Sequence, residues 1–372
     1  MSYFKRKNIL LISPEPWGQN FVSKHHYATT LAKQQNTVYF LNPPTSTYKI
    51  RSTQYDDLYV IDYAPFLKGL RYLPSKLQSK IIRRKYKKIE QLAKCSFNII
   101  WSFDNSVFYD FSGLPEHLLK ISHIVDLNQN FQTAKAAYTA NICFCTTDLI
   151  RRRLLTYNKN TFKIHHGYSP SIKIGEPAMC LPGINSVKAV YVGNLAFPYI
   201  DWLLLRQVAE NHIDVDFIFI GPDGESNLSS MKFSTPNREM VRALKNTYFT
   251  GSVPYHYIPS LLSQADVLIV AYREEHHHDQ ASPHKMMEYL ASGKTIVATC
   301  TSEYKDKKDI LIMAEKNEEY PALFAKVIAN LNDYNEQGKQ KKRKNFALNN
   351  TYQKQIEKIE SRINILNPNV PT

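Results

Sequence analysis

The chain has 372 residues, 43% of them hydrophobic, with 47 Lys and Arg against 33 Asp and Glu and a formal net charge of +14. That length exceeds the range in which a single core keeps growing, so two domains are expected, and the apolar content excludes a disordered chain. No run approaches the roughly 18 apolar residues of a membrane span, and MSYFKRKNILLIS is too short in apolar residues for a signal peptide, so a cytoplasmic protein is expected.

Strand signals in the first half fall at 8–13, 37–41, 57–62, 97–103, 121–125 and 141–145, with helical stretches between them, the β-α-β rhythm of a parallel sheet covered by helices. Ligands of such open sheets bind at the carboxyl ends of the strands, which singles out the loops after Ser13, Ser102 and Val125. The loop after Ser13 holds Trp17 and Gly18. His25 and His26 follow in the first crossover helix, behind Ser23 as a cap; one of them is placed to face a ligand and the other to pack or meet solvent. Asp126, ending the strand ISHIV, is the best-placed carboxylate of this half, either a general base for a hydroxyl proton or a cap for the segment after it, with Asp104 its rival. Phe66–Lys94 holds ten Lys or Arg and one acid, Glu90, interleaved with Leu70, Tyr72, Leu73, Leu77, Ile81, Ile82 and Tyr86. Cations mixed with apolar residues suit a helix lying on anionic lipid; a solvated basic helix and a nucleic-acid surface are the competing readings, and no nucleic-acid motif accompanies them. Cys95, Cys143, Cys145, Cys180 and Cys300 include no C-x-x-C pair and read as thiols of a reducing compartment.

Ser169–Ser186, broken by Pro170, Pro177, Pro182, Gly175 and Gly183, is the expected linker. Beyond it, strands are expected at 188–192, 215–220, 247–250, 266–271, 295–299 and 310–313. Glycine at Gly193-Asn194 and at Gly221 lets backbone come close to a phosphate, though each alone reads as a turn. In the loop REEHHHDQ, which opens at Arg273, the adjacent His276–His278 have side chains that diverge and do not converge on one metal. Ser282–Thr299, SPHKMMEYLASGKTIVAT, reads as a helix over about 283–292 and then a strand, with Ser282 as N-cap, Pro283 at the first position and Gly293 as stop. Lys285 and Glu288 share one face, next to His284 in the first turn. A helix N-terminus with a lysine takes an anion, and a carboxylate one turn on accepts two hydrogen bonds from a ribose diol; a capped helix with a surface Lys–Glu pair has the same spacing. KQKKRK at 339–344 reads as a solvated connection before a last helix with Ile356, Ile359, Ile363 and Leu366 on one stripe.

Pro283, Lys285, Glu288, Tyr289, Ala291, Gly293 and Lys294 closely resemble the donor-site signature of GT-B glycosyltransferases, with Thr295 where that family often has proline. The opening NILLISPEPWGQNFVSKHHYATTLAKQQNTVYFLNPP resembles the first β-α-β unit of bacterial exopolysaccharide and teichuronic-acid-type members, and KAVYVGN, VDFIFIGPDG and NTYFTGSVPYHYIPSLLSQADVLIVAYRE follow in family order. The resemblance implies two Rossmann-like domains facing each other across a cleft: an acceptor domain over 1–175, a nucleotide-sugar domain over 183–335, and a helix over 342–366 that returns to the first. It places Gly221, Val253 and Tyr255 at the base, and Gly193 and Asn194 at the diphosphate and sugar, with Arg273, Ser282, Pro283, His284, Lys285 and Glu288 completing the donor side. Trp17, Gly18 and His26 fall on the acceptor side, Asp126 and His25 at the reacting hydroxyl, and His165 and His166 in the cleft wall. The family's Arg and Lys after the Gly193 position are absent from NLAFPYID, and Gln280 replaces its first glutamate, which leaves retention or inversion of configuration open.

The resulting expectation is a peripheral enzyme on the inner face of the plasma membrane. It moves a sugar from a UDP-, GDP- or TDP-linked donor to a lipid-linked or glycan acceptor in surface polysaccharide synthesis, with no tightly bound cofactor or metal, no nucleic-acid partner, and 66–94 on anionic lipid. A nucleotide-sugar 2-epimerase of the same fold, and a non-catalytic glycan- or nucleic-acid-binding protein on this scaffold, are the alternatives.

Overall fold

The computed structural model describes residues 3–18, 21–126, 132–170, 179–224, 235–277 and 282–366. The chain divides into two compact units, one of Met1–Gly167 with Tyr352–Thr372, the other of Tyr168–Thr351.

The first unit runs β1 (Asn8–Ile12), α1 (Ser23–Lys33), β2 (Thr37–Leu41), β3 (Lys49–Ser52), β4 (Leu58–Asp62), α2 (Ser75–Ala93), β5 (Ile99–Ser102), β6 (Leu119–Ile124), α3 (Thr133–Thr139), β7 (Ile142–Cys145), α4 (Asp148–Leu155) and β8 (Thr161–Lys163). Its sheet has the order β3-β4-β2-β1-β5-β6-β7-β8, parallel except for β3 against β4. Strands such as β5 and β7 are buried at every residue, because helices cover both faces; their apolar runs therefore do not alternate.

The second unit runs β9 (Val187–Val192), α5 (Trp202–Asn211), β10 (Val215–Ile220), α6 (Pro236–Arg242), β11 (Thr247–Gly251), α7 (Ile258–Gln264), β12 (Val267–Val270), α8 (Lys285–Ser292), β13 (Thr295–Ala298), β14 (Ile312–Met313), α9 (Tyr320–Ala329), α10 (Leu331–Tyr334) and α11 (Gln337–Leu348). The order β11-β10-β9-β12-β13-β14 is parallel throughout. It reverses direction between β9 and β12, the place where such sheets open a crevice for ligand. The last helix, α12 (Tyr352–Leu366), belongs to the first unit, where Tyr352, Ile356, Ile359 and Ile363 join the core beside Tyr27 and Leu31 of α1. Each fully buried isoleucine there is worth about 1.5–3 kcal/mol.

Structure and sequence expectation differ at four places. The short edges β3 (KIRS) and β8 (TFK) carry no apolar run and are held by one neighbour each, so periodicity does not reveal them. In α2 the buried positions are Gln78, Ile82, Tyr86, Ile89 and Ala93, so of the apolar residues interleaved with cations Ile82 and Tyr86 lie on the core stripe of an amphipathic helix, while Tyr72 and Leu77 are exposed. KQKKRK is no solvated connection: it lies in α11, where buried Arg343 donates to the carbonyls of Ile310, Gly293 and Tyr334. Those bonds tie residues 342–348 to the second unit, so only α12 of the expected 342–366 segment joins the first.

Candidate functional site

In the second unit the carboxyl ends of β9, β10 and β12 converge on the start of α8. Gly193 follows β9 with φ +151° and Gly221 follows β10 with φ +146°, conformations that L side chains rarely adopt. A Cβ on Gly221 would lie 1.9 Å from the Gly193 carbonyl oxygen, so this glycine is needed for strand-end packing. A Cβ on Gly193 would lie 3.1 Å from Lys285 Nζ, which brings the lysine onto bare backbone. The Val192 N–H donates to Tyr289 Oη at 2.7 Å, fixing the end of β9 against α8. Asn194 turns its side chain inward and accepts from the Ala196 N–H at 3.0 Å, which shapes the loop.

Lys285 and Glu288 occupy the first turn of α8, both half-buried. Lys285 Nζ is buried, makes no hydrogen bond among the described residues, and lies 3.5 Å from the centroid of the Tyr191 ring. Burial pushes its ammonium well below the usual lysine range, against the opposing charge of Glu288. Burial raises the Glu288 carboxyl to about 7, with Lys285 opposing. An ammonium with open N–H donors and a carboxylate one turn on are what a diphosphate and a ribose diol require.

The start of α8 departs from the expected cap. His284, in helical conformation, holds the N-cap position without a side-chain cap bond; the first turn closes from Met286 N–H to the Pro283 carbonyl at 3.1 Å and from Met287 N–H to that of His284 at 3.4 Å. Ser282 Oγ is buried on the side of Tyr304 and does not cap the helix. Arg273 is exposed, its guanidinium 3.8 Å from Glu275, so the charge facing Gly193 comes from Lys285. Val253 packs on the core and Tyr255 is exposed, both past the end of β11. Gln280 and His278 lie outside the described residues.

In the first unit the histidines are corrected. His25 is buried in stacks with Phe21 and Phe40; its Nε2 lies 3.0 Å from the Pro16 carbonyl and its Nδ1 accepts from the Val22 N–H at 3.2 Å. Burial lowers its pKa, so it is a neutral staple for the loop after β1, with both ring nitrogens engaged and none left for proton transfer. His26 is buried and stacks on Tyr352 at 5.0 Å. Trp17 is half-buried among Phe21, Phe40 and Tyr55. Gly18 is exposed, and a Cβ added there would meet nothing within 4 Å, so no steric demand selects glycine. Asp104 is buried and accepts from the Ser106 N–H at 2.7 Å and its hydroxyl at 2.6 Å, a turn cap. Asp126 follows β6 and is exposed; desolvation raises the pKa of its carboxyl, Lys24 opposes and Glu15 adds. Lys24, 3% exposed, pairs with Glu15 at 2.8 Å. Sequence reading missed this pair, together with Tyr191 and Tyr272; Tyr191 had one signal, standing two residues before Gly193 on the same strand face.

The family model for Glycosyl transferases group 1 matches residues 186–333, the segment that holds Gly193, Lys285 and Glu288. A curated relative, the putative teichuronic acid biosynthesis glycosyltransferase TuaH of Bacillus subtilis, is 26% identical over 119 residues, 32% of this chain and 28% of TuaH. The alignment thus spans under a third of that relative. Solved structures share the architecture: a sucrose-phosphate synthase from Thermosynechococcus elongatus (TM-score 0.66, 13% identity, 98% of this chain and 100% of that one) and an α,α-trehalose-phosphate synthase (UDP-forming) from Burkholderia vietnamiensis (0.68, 11%, 99% and 99%). The Anabaena protein HepE, solved with UDP and glucose, is a third (0.63, 12%, 98% and 100%). With its two Rossmann-like units, the chain has the GT-B fold of these structures.

Proposed function

We propose that the protein transfers a sugar from a nucleotide-diphosphate-sugar to a hydroxyl of a lipid-linked or glycan acceptor in bacterial surface polysaccharide synthesis. The observation that carries this reading is the buried Lys285 ammonium, free of hydrogen bonds among the described residues and set against the bare backbone of Gly193, within the segment that matches the group 1 family. In this reading Lys285 and the first N–H groups of α8 take the charge that develops on the departing diphosphate, and Glu288, ionised, accepts from the ribose hydroxyls. Gly193, Gly221, Val253 and Tyr255 border the nucleotide. The surface-polysaccharide context comes from the similarity to TuaH, and UDP as one candidate nucleotide from HepE. Asp126 is the first-unit carboxylate for the acceptor hydroxyl, beside the Trp17–Gly18 loop.

The same proposal places the enzyme on the inner membrane surface. No helix among the described residues is long and apolar enough to cross a membrane. On α2 the outward face shows Lys76, Lys80, Arg83, Arg84, Lys87 and Lys88, and Leu67, Tyr72 and Leu77 are exposed at its N-terminal end. Lys85 instead turns inward to the Ala64 and Pro65 carbonyls. Cations over anionic headgroups, with three apolar side chains at one end, suit a peripheral contact.

The full chain incubated with UDP-, GDP- and TDP-sugars tests the reaction. Slow donor hydrolysis with one nucleotide class, accelerated by a lipid-linked or glycan acceptor and yielding a glycosylated product, is expected. Interconversion of the sugar without transfer would replace this reading with an epimerase, and no turnover or binding of any donor would leave a non-catalytic protein.

A further inference from the structure

Lys285 Nζ is flanked by two rings, Tyr191 at 3.5 Å and Tyr272 at 5.4 Å from their centroids. Both tyrosines are buried in the core of the second unit, so packing fixes the rings independently of the lysine. Tyr191 also lies beside Gly193: a Cβ there would stand 3.4 Å from the Tyr191 ring as well as 3.1 Å from the ammonium. Glu288 is the carboxylate that acts on Lys285, from one turn further along α8. The face of an aromatic ring attracts a cation through its quadrupole and leaves the N–H donors unspent, whereas a carboxylate in the same place would accept them.

We propose that Tyr191, with Tyr272 behind it, is a positioning residue that holds the Lys285 ammonium against Gly193 with its donors open, ready for the oxygens of a nucleoside diphosphate. This rests on the nucleotide-diphosphate reading above. The rings make no contact with the sugar or the base in this role; they act through Lys285 alone. It follows that the effect of Tyr191 must vanish when Lys285 is gone.

The test uses the full chain as wild type, Y191F, Y191L, K285A and K285A/Y191L, titrated by calorimetry with UDP, GDP and TDP. Y191F keeps the ring face and should bind the preferred diphosphate within about twofold of wild type, whereas Y191L should bind it about 5- to 30-fold more weakly. In the K285A background Y191L should change nothing further. An equal loss from Y191L in both backgrounds, or a loss in Y191F as large as in Y191L, overturns the proposal. A second measurement needs no nucleotide: by NMR the Lys285 ε-methylene of the wild type, assigned with K285A, should be shifted upfield by the ring currents, kept in Y191F and returned to the ordinary lysine position in Y191L. An ordinary shift in the wild type overturns the caging of Lys285, and should Y191L fail to fold, wild type and Y191F decide it. A ring-shifted Lys285 in a protein that binds none of the three nucleotides upholds the caging and refutes the donor reading.

Discussion

Gly221→Ala tests the packing on which the candidate site stands. The new Cβ would lie 1.9 Å from the Gly193 carbonyl oxygen, and its backbone would keep φ +146°, a region in which an L-residue costs about 1–3 kcal/mol. Relieving the clash adds an overpacking cost of about 1–3 kcal/mol, because the obstacle is backbone with no rotamer to yield. A total of about 4 kcal/mol, at about 2–4 °C per kcal/mol for a domain of this size, lowers the melting temperature of the second unit by about 8–16 °C. Because the Gly193 N–H is bonded to the Ile220 carbonyl at 2.9 Å and its Cα faces Lys285, the displacement also reaches the ammonium and should weaken nucleotide binding. Gly18→Ala is the control: nothing lies within 4 Å, so its effect should stay within about 0.5 kcal/mol. Scanning calorimetry of the full chain reads both. If Gly221→Ala melts within about 2 °C of wild type, the contact between the two strand ends is not a tight one and the reasoning fails.

Lys285→Ala and Glu288→Ala should each cost about 1.5–3 kcal/mol of nucleotide affinity by calorimetry, the first through diphosphate charge and the second through ribose hydrogen bonds; unchanged affinity in both would remove the centre of the donor reading. Nucleotide affinity should be bell-shaped in pH: it rises as Glu288, raised to about 7, loses its proton, and falls at higher pH as Lys285, lowered well below the ordinary lysine value, loses its own. Glu288→Gln should erase the acid limb and keep the alkaline one, and an acid limb that persists in it assigns that limb elsewhere. Replacing Arg83, Arg84, Lys87 and Lys88 with glutamine removes about 1 kcal/mol of lipid attraction per cation and should release the protein from anionic vesicles at physiological salt; equal binding of the parent to neutral and anionic vesicles would refute the surface. Asp126→Asn should lower turnover by about 10² or more with nucleotide affinity kept, if the route inverts configuration with Asp126 as base; a product of retained configuration by NMR, or near-normal turnover, refutes that role.

Sequence alone determined the central sheet strands but not the edges β3 and β8, because a strand covered on both faces is largely apolar: β10 and β12 are legible as VDFIFI and VLIV. It also determined the Lys285–Glu288 pair, because helical spacing puts residues three apart on one face. It did not determine which polar residues remain available for chemistry. His25 has its ring nitrogens engaged by Pro16 and Val22, partners that only the loop after β1 brings to it, and Asp104 is used in a turn two residues long. The cations of α2 and of α11 look alike as text, yet most of the former face solvent while Arg343 is itself buried and donates to three carbonyls, since burial depends on what packs against a face. The aromatic flank of Lys285 joins β9, the segment just after β12, and α8, elements far apart in the chain, and no local pattern encodes it. Periodicity and motif therefore specify which faces are buried and where the Lys285–Glu288 pair lies, whereas the state of each charged group is decided by neighbours that only the tertiary fold supplies.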